Sequence, residues 1–156
     1  MNILVTGGTG FVGKALVTAL LSRGDSITVL TRSIEKAQSI FPEKTPQFLT
    51  ALSTLKDLNT FDAVINLAGE PIFDKKWTVQ QKEKLRRSRI DLTQQLVQLI
   101  NQSEYPPALI SGSATGIYGN CGDEQITENT NPSTQFTAQL CIDWENAAKQ
   151  ATQESV

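Results

Sequence analysis

Three glycines, Gly7, Gly10 and Gly13, stand three residues apart directly after the apolar run Ile3-Leu4-Val5 and directly before a helical pattern. Glycine at these positions permits a sharp turn after a strand, a close approach of backbone to a bound group, and tight packing of the next helix. The first-turn N–H groups of that helix carry partial positive charge, which favours an anion such as a pyrophosphate. Gly7, Thr9, Gly10, Phe11, Val12 and Gly13 are therefore the candidate cradle of a dinucleotide. A glycine triplet alone also fits an ordinary turn, so the reading depends on the elements around it.

Those elements are legible. A helix is expected from about Phe11 to Ser22, with Ala15, Leu16, Ala19 and Leu20 on its buried face and Arg23-Gly24 as its stop. Ser26 to Thr31 reads as a second strand, completing the strand, loop, helix, strand unit that the motif requires. The tip of this second strand lies beside the adenosine ribose, where an Asp or Glu would bond the free 2′-hydroxyl of NAD. The tip here is Thr31-Arg32-Ser33, and the first carboxylate is Glu35. Arg32 offers a planar fork of donors to a 2′-phosphate, so NADP is expected over NAD. The alternative is that Arg32 is a solvated charge opening the next helix.

Further along, a short helix is expected to about Ile40, and Gln47 to Thr50 reads as a third strand. Asp62 to Gly69 is a near-continuous apolar run closed by small residues, the pattern of a central parallel strand buried on both faces. Trp77 to Gln102 reads as one long helix with Leu85, Leu92, Leu96, Leu99 and Ile100 on its apolar side. Pro106-Pro107 precedes a fifth strand, Ala108 to Ser113, and a last helix covers about Gln135 to Gln150, with Thr134 or Ser133 as cap. The alternation predicts an α/β fold: a doubly wound parallel sheet in strand order 3-2-1-4-5, with the ligand cleft beyond the carboxyl ends of strands 1 and 4.

At 156 residues, with 39% hydrophobic and 19% charged residues, the whole chain, 1–156, fits one soluble globular domain. The net charge of −2 argues against nucleic acid, although Lys82, Lys84, Arg86, Arg87 and Arg89 crowd one helical segment. There is no histidine, and Cys121 and Cys141 lack metal-ligand spacing, so no metal site is expected. No run is long enough to span a bilayer and the first residues are already a strand, so a cytoplasmic protein with reduced thiols is expected.

The chain resembles extended short-chain dehydrogenases/reductases of the NAD(P)-dependent epimerase/dehydratase family, and within it the sugar-nucleotide-epimerase-like subgroup known as epimerase family proteins. The matching stretches are Thr6 to Gly13, Asn66-Leu67-Ala68-Gly69-Glu70-Pro71-Ile72, Ser88-Arg89-Ile90, Ser111 to Gly119, and Phe136 through Trp144-Glu145. The resemblance implies a Rossmann fold in which Leu67, Ala68 and Gly69 lie against the adenosine and ribose. It also implies that Arg89 reaches the cofactor phosphates, with Lys84 a weaker candidate. Read from the residues alone, these helix charges are a solvated face.

In the wider superfamily a serine or threonine after the fifth strand works with a tyrosine and a lysine four residues apart, and the tyrosine phenolate moves a proton while hydride passes to or from nicotinamide. Ser113 matches the serine position. The pair is missing: Tyr105 and Tyr118 are followed four residues later by Leu109 and Gly122, and Phe136 and Leu140 stand where the pair is expected. Tyr118 is a candidate substitute or a core anchor of its loop. Glu70 and Asp123 are other proton-carrier candidates, unranked by the sequence. Family members are also about twice this length, so the chain reads as truncated before the C-terminal substrate domain.

Two functions follow as expectations. One is an NADP-binding domain of an epimerase- or reductase-like oxidoreductase acting on an unassigned small molecule, a nucleotide sugar by family analogy. The other is a catalytically silent NADPH-binding module, or a fragment needing a C-terminal-half partner; a fragment that binds nothing is a third reading. The exposed sheet edge and uncovered helix faces predict a partner or poor solubility, and the resemblance implies the long helix after strand 4, where related proteins often pair, as a candidate surface for a homo-oligomer.

Overall fold

The computed structural model describes residues 1–42 and 45–152. Five parallel strands, β1 (Asn2–Thr6), β2 (Ser26–Leu30), β3 (Gln47–Leu49), β4 (Ala63–Asn66) and β5 (Ala108–Ser111), form one sheet in the order β3-β2-β1-β4-β5. This is the expected doubly wound order. Its central strands are apolar because helices cover both faces: all four β4 residues are buried, as are Ile3, Leu4, Val5 and Thr6 of β1.

Alternation along each strand divides the core in two. Ile3, Val5, Ile27, Val29 and Ile65 pack against Val17 and Leu20 of α1 (Phe11–Arg23) on one face. On the other face Leu4, Val64 and Leu109 pack against Leu96, Val97 and Ile100 of the helix after β4 and against Ala148 of the last helix. α2 (Ile34–Ile40) starts on the Ser33 hydroxyl, which accepts the Lys36 N–H.

Three details differ from expectation. The inward stripe of α1 is Gly13, Val17 and Leu20, whereas Ala15 and Ala19 are exposed and Leu16 is half-buried. The close fit of Gly13 against Gly7 and Gly8 fixes the rotation of the helix. The long helix is two helices, α3 (Val79–Arg87), capped by Thr78, and α4 (Ile90–Gln102). The Ser88 hydroxyl donates to the Leu85 carbonyl at 2.9 Å, the acceptor that a continuous helix would offer to the Arg89 N–H, which bonds Arg86 instead. The last helix, α5 (Phe136–Ala148), has no side-chain cap: Ser133 accepts the N–H of Gln135, the residue before the helix.

Candidate functional site

The β1–α1 loop, the β2 tip and the β4 tip meet at the carboxyl ends of the central strands and enclose a cleft of about 870 Å³. Gly7 makes that meeting possible. Its φ is +68°, and a Cβ there would fall 2.6 Å from the Leu67 carbonyl, so the loop and the β4 tip touch backbone to backbone. At Gly13 a Cβ would run into the Gly7 carbonyl oxygen, so α1 starts directly beneath the loop. The Ncap residue Gly10 gives α1 no side-chain cap, in contrast to Ser33 on α2 and Thr78 on α3. The first-turn N–H groups of α1 are thereby left for an anion.

Of the predicted cofactor residues, Gly7, Thr9, Gly10, Thr31, Arg32, Leu67, Ala68 and Gly69 line this cleft. Gly13 sits behind the loop. Phe11 and Val12 belong to the first turn of α1 with side chains in solvent, Phe11 being 98% exposed, so only their backbone is placed to serve a ligand. Thr31 shapes the β2 tip: its hydroxyl donates to the Ser33 carbonyl at 3.1 Å and accepts the Ser33 N–H at 3.3 Å.

The cleft is basic. Arg32, Lys36, Lys84 and Arg87 line it, with Glu70 as the carboxylate among the lining residues. Arg32 and Lys36 make no ion pair among the described residues. Glu70 is pinned: Lys84 Nζ lies 2.8 Å from its Oε1 and Lys75 Nζ 3.8 Å, and its N–H donates to Ser88 Oγ at 2.9 Å. The hydrogen bond from Lys84 holds the Glu70 carboxyl below the usual carboxylate range, against the opposing pull of burial, and the charges of Lys84, Lys75 and Arg32 reinforce it. Paired in this way, Glu70 braces the wall of the cleft.

Beneath the cleft floor lies a polar network that sequence reading missed. The Thr6 hydroxyl donates to Asn66 Oδ1 at 2.7 Å and accepts the Ala68 N–H at 3.2 Å. Asn66 Nδ2 donates to Thr93 Oγ1 at 2.8 Å and to Ser111 Oγ at 3.3 Å, and Trp144 Nε1 donates to Thr93 Oγ1 at 3.0 Å. Buried polar groups satisfied in this way lock the tips of β1, β4 and β5 in register.

Arg89 occupies a layer behind the cleft. Its Nη1 donates to the Glu70 carbonyl at 3.1 Å, its guanidinium lies 5.5 Å from the Trp144 ring, and a Cβ on Gly69 would come within 2.7 Å of it. Burial lowers its pKa below the usual guanidinium value. Arg89 thus props the Gly69-Glu70 turn from below, where the family resemblance implies contact with the phosphates.

The chemistry expected after β5 is spread over a more open region. Ser113 is exposed and lies outside the cleft; its hydroxyl donates to Glu145 Oε1 at 2.5 Å, and Lys149 Nζ lies 3.7 Å from Glu145 Oε2. Tyr118 follows the short 3-10 turn Thr115–Ile117, half-buried, and its hydroxyl has no hydrogen-bond partner among the described residues. Leu140 is core and Phe136 packs edge-on against Trp77 at 5.7 Å, so neither carries a proton. Asp123 is exposed on the following loop. Cys121 and Cys141 are free thiols, and burial pushes that of Cys141 above its ordinary pKa. Among the described residues no group of His, Cys, Asp and Glu could hold a metal ion.

A doubly wound sheet with a glycine loop at its switch point and a basic cleft beside it defines a dinucleotide-binding α/β domain. The chain belongs to the NAD dependent epimerase/dehydratase family, whose model matches residues 3–155. It is 36% identical over 160 residues to the epimerase family protein SDR39U1 homolog, chloroplastic, of Arabidopsis thaliana, covering 99% of this chain and 46% of that protein. It is similar to the crystal structure of human epimerase family protein SDR39U1 (isoform 2) with NADPH, with a TM-score of 0.80 at 29% identity over 95% of this chain and 48% of that one. A UDP-glucuronic acid 4-epimerase from Bacillus cereus in complex with NAD gives a TM-score of 0.76 at 25% identity, over 96% of this chain and 51% of that one. The chain spans about half the length of these relatives. Among the described residues no helix is long and apolar enough to cross a membrane.

Proposed function

We propose that this chain is the NADPH-binding half of an epimerase-family oxidoreductase. The observation that carries the choice of NADP is the β2 tip: Arg32, just before the Ser33 cap, and Lys36, in the first turn of α2, both line the cleft, and neither makes an ion pair among the described residues, which suits a 2′-phosphate. The NADPH-bound human relative supports the same choice. Gly7, Thr9, Gly10 and Gly13, with the backbone of Phe11 and Val12, take the pyrophosphate, and Leu67, Ala68 and Gly69 leave room for the adenosine. The nicotinamide supplies hydride chemistry when bound, and Ser113 bonds a substrate oxygen once a C-terminal half closes over it. The substrate is a small molecule of the nucleotide-sugar class, by analogy with the sugar-nucleotide relatives. Free thiols at Cys121 and Cys141 suit a reducing, cytoplasmic setting. Calorimetric titration with NADPH and NADH tests the reading. NADPH binding at least about tenfold tighter supports it; equal affinities overturn the assignment of Arg32 and Lys36.

A second reading, a catalytically silent NADPH-binding module, is favoured by Leu140 and Phe136, apolar packing residues where the proton-transfer pair is expected. NADPH oxidation with a panel of carbonyls and nucleotide sugars, lost in Ser113→Ala, supports the oxidoreductase. Tight binding without turnover, in the chain joined by a C-terminal half, supports the module.

A further inference from the structure

Where the β4–α3 loop and the first turn of α3 meet the start of α5, a group of side chains stands outside the dinucleotide cleft and has no role in it. Gln81 of α3 is 8% exposed, and its Nε2 is buried with no hydrogen-bond partner among the described residues. Buried amides are ordinarily satisfied, as Asn66 is, so an open one marks a place where an acceptor is missing. Gln81 lies one turn before Leu85, on the side of α3 that packs with Ile72, Phe136 and Leu140.

The residues around it add a charge and an apolar surface. Lys82 is half-buried, with its Nζ 5.0 Å from the centroid of the Phe136 ring. It makes no ion pair among the described residues, and the carboxylate of its own helix, Glu83, is taken by Arg87 at 3.0 Å. The ring holds the ammonium from one side and leaves N–H donors over. Trp77 meets the same ring edge-on at 5.7 Å. Its Nε1 donates to the Ile72 carbonyl at 2.8 Å, which fixes the indole, and 42% of the residue stays exposed.

A cation, an unsatisfied neutral donor and an exposed aromatic ledge about one ring together define a ligand. It must bring acceptor oxygens, a negative charge and an apolar face. A carboxylate offers two oxygens to the two donors and a countercharge to Lys82. A sugar ring offers C–H groups to the indole. A neutral hydroxymethyl group in the same place would serve Gln81 and leave Lys82 without a countercharge.

We propose that Lys82 and Gln81, beside the Trp77–Phe136 ledge, form a subsite for the carboxylate of an acidic sugar of the uronic-acid class. Lys82 pairs with the carboxylate, Gln81 donates to it, and the sugar ring lies against Trp77. The subsite rests on the proposed function in one respect: Phe136 stands where the proton-transfer pair is expected, so the ledge borders the reacting end of the substrate. It narrows that substrate from nucleotide sugars in general to carboxylated ones.

The test titrates the full 156-residue chain, saturated with NADPH, with UDP-glucuronic acid and with UDP-glucose, which differ in a carboxylate against a hydroxymethyl group. Calorimetry reads the affinities. UDP-glucuronic acid should bind about tenfold tighter or more, and Lys82→Met, which keeps an apolar stem over Phe136, should erase the preference. Gln81→Leu separates a binding role from a packing one. Removing the unpartnered amide should raise the melting temperature of the free chain and weaken UDP-glucuronic acid by about fivefold, whereas a packing residue would move stability and binding in the same direction. Equal affinities, no binding of either sugar nucleotide, a preference that survives Lys82→Met, or a Gln81→Leu chain that melts lower would each overturn the subsite. NADPH titration alone separates the two claims: a chain that binds NADPH and shows no preference loses only the subsite, and one that prefers the acidic sugar without binding NADPH refutes only the cofactor reading.

Discussion

At the end of the site proposed for the adenosine and pyrophosphate, the close contacts that set the shape are backbone. Gly7 against Leu67, the uncapped start of α1 and the Thr31 turn are held by the central strands β1, β2 and β4, which are paired on both sides. At the Ser113 end the groups are side chains on the loop after the edge strand β5 and on α5, and the region is exposed. The glycine-loop end is preorganised by the sheet together with the groups braced against its strand tips, Thr93 under Asn66 and Ser88 and Arg89 under the Gly69-Glu70 turn. The Ser113 end stands beside the sheet's open edge.

The comparison breaks most visibly at Gly13. Gly13→Ala drives a Cβ into the Gly7 carbonyl and to 2.7 Å from Gly8 Cα, backbone atoms that cannot rotate away. We expect a loss of about 3 kcal/mol in urea unfolding together with loss of NADPH binding. Asn66→Leu comes next. It strands the Thr6 hydroxyl beneath the cleft, and about 2 kcal/mol of destabilisation is expected, with weaker binding measured by titration. Arg32→Ala tests specificity with little effect on the fold: NADPH affinity should fall about tenfold or more, for the loss of one charge-assisted contact, while NADH affinity stays unchanged.

Acid sharpens the contrast further. The folded pKa of Glu70 is depressed from 4.5, chiefly by its hydrogen bond from Lys84. Its ion pair therefore stabilises the fold above that ordinary value, and the contribution is lost as pH falls through the lower folded value. Asp143 adds to the same trend, since burial raises its pKa but hydrogen bonds from Arg86 and Gln139 leave it net lowered. The melting temperature should drop between about pH 5 and pH 2, and Lys84→Met should flatten that drop. The smallest effect is expected at Ser113→Ala: exposed and outside the cleft, it should leave NADPH affinity unchanged and stability within about 0.5 kcal/mol.

The strand order and the glycine loop were readable because each rests on local pattern: an apolar run buried on both faces, glycines at fixed spacing, and crossovers of uniform hand. Arg32 was readable from its place at a strand end. Lys36 was missed, because which first-turn side chain of α2 reaches the cleft depends on where Ser33 caps that helix. The Thr6–Asn66–Thr93 network was out of reach, since its members are 60 and 27 residues apart in sequence. The split of the long helix turned on one hydroxyl, Ser88, competing for a carbonyl, which apolar periodicity does not register. Arg89 was assigned to the phosphates by resemblance; in the structure its guanidinium bonds the Glu70 carbonyl and lies against Gly69, a contact between distant residues that the sequence pattern does not register.

Thermal unfolding of the purified chain with NADPH, and separately with NADH, tests the central claim most directly. Binding to the native state alone should stabilise it by roughly 2.7 kcal/mol at a hundredfold excess over the dissociation constant. The account predicts a rise in melting temperature that is larger with NADPH than with NADH and absent in Gly13→Ala. A chain that melts cooperatively at the same temperature with and without either dinucleotide would contradict it.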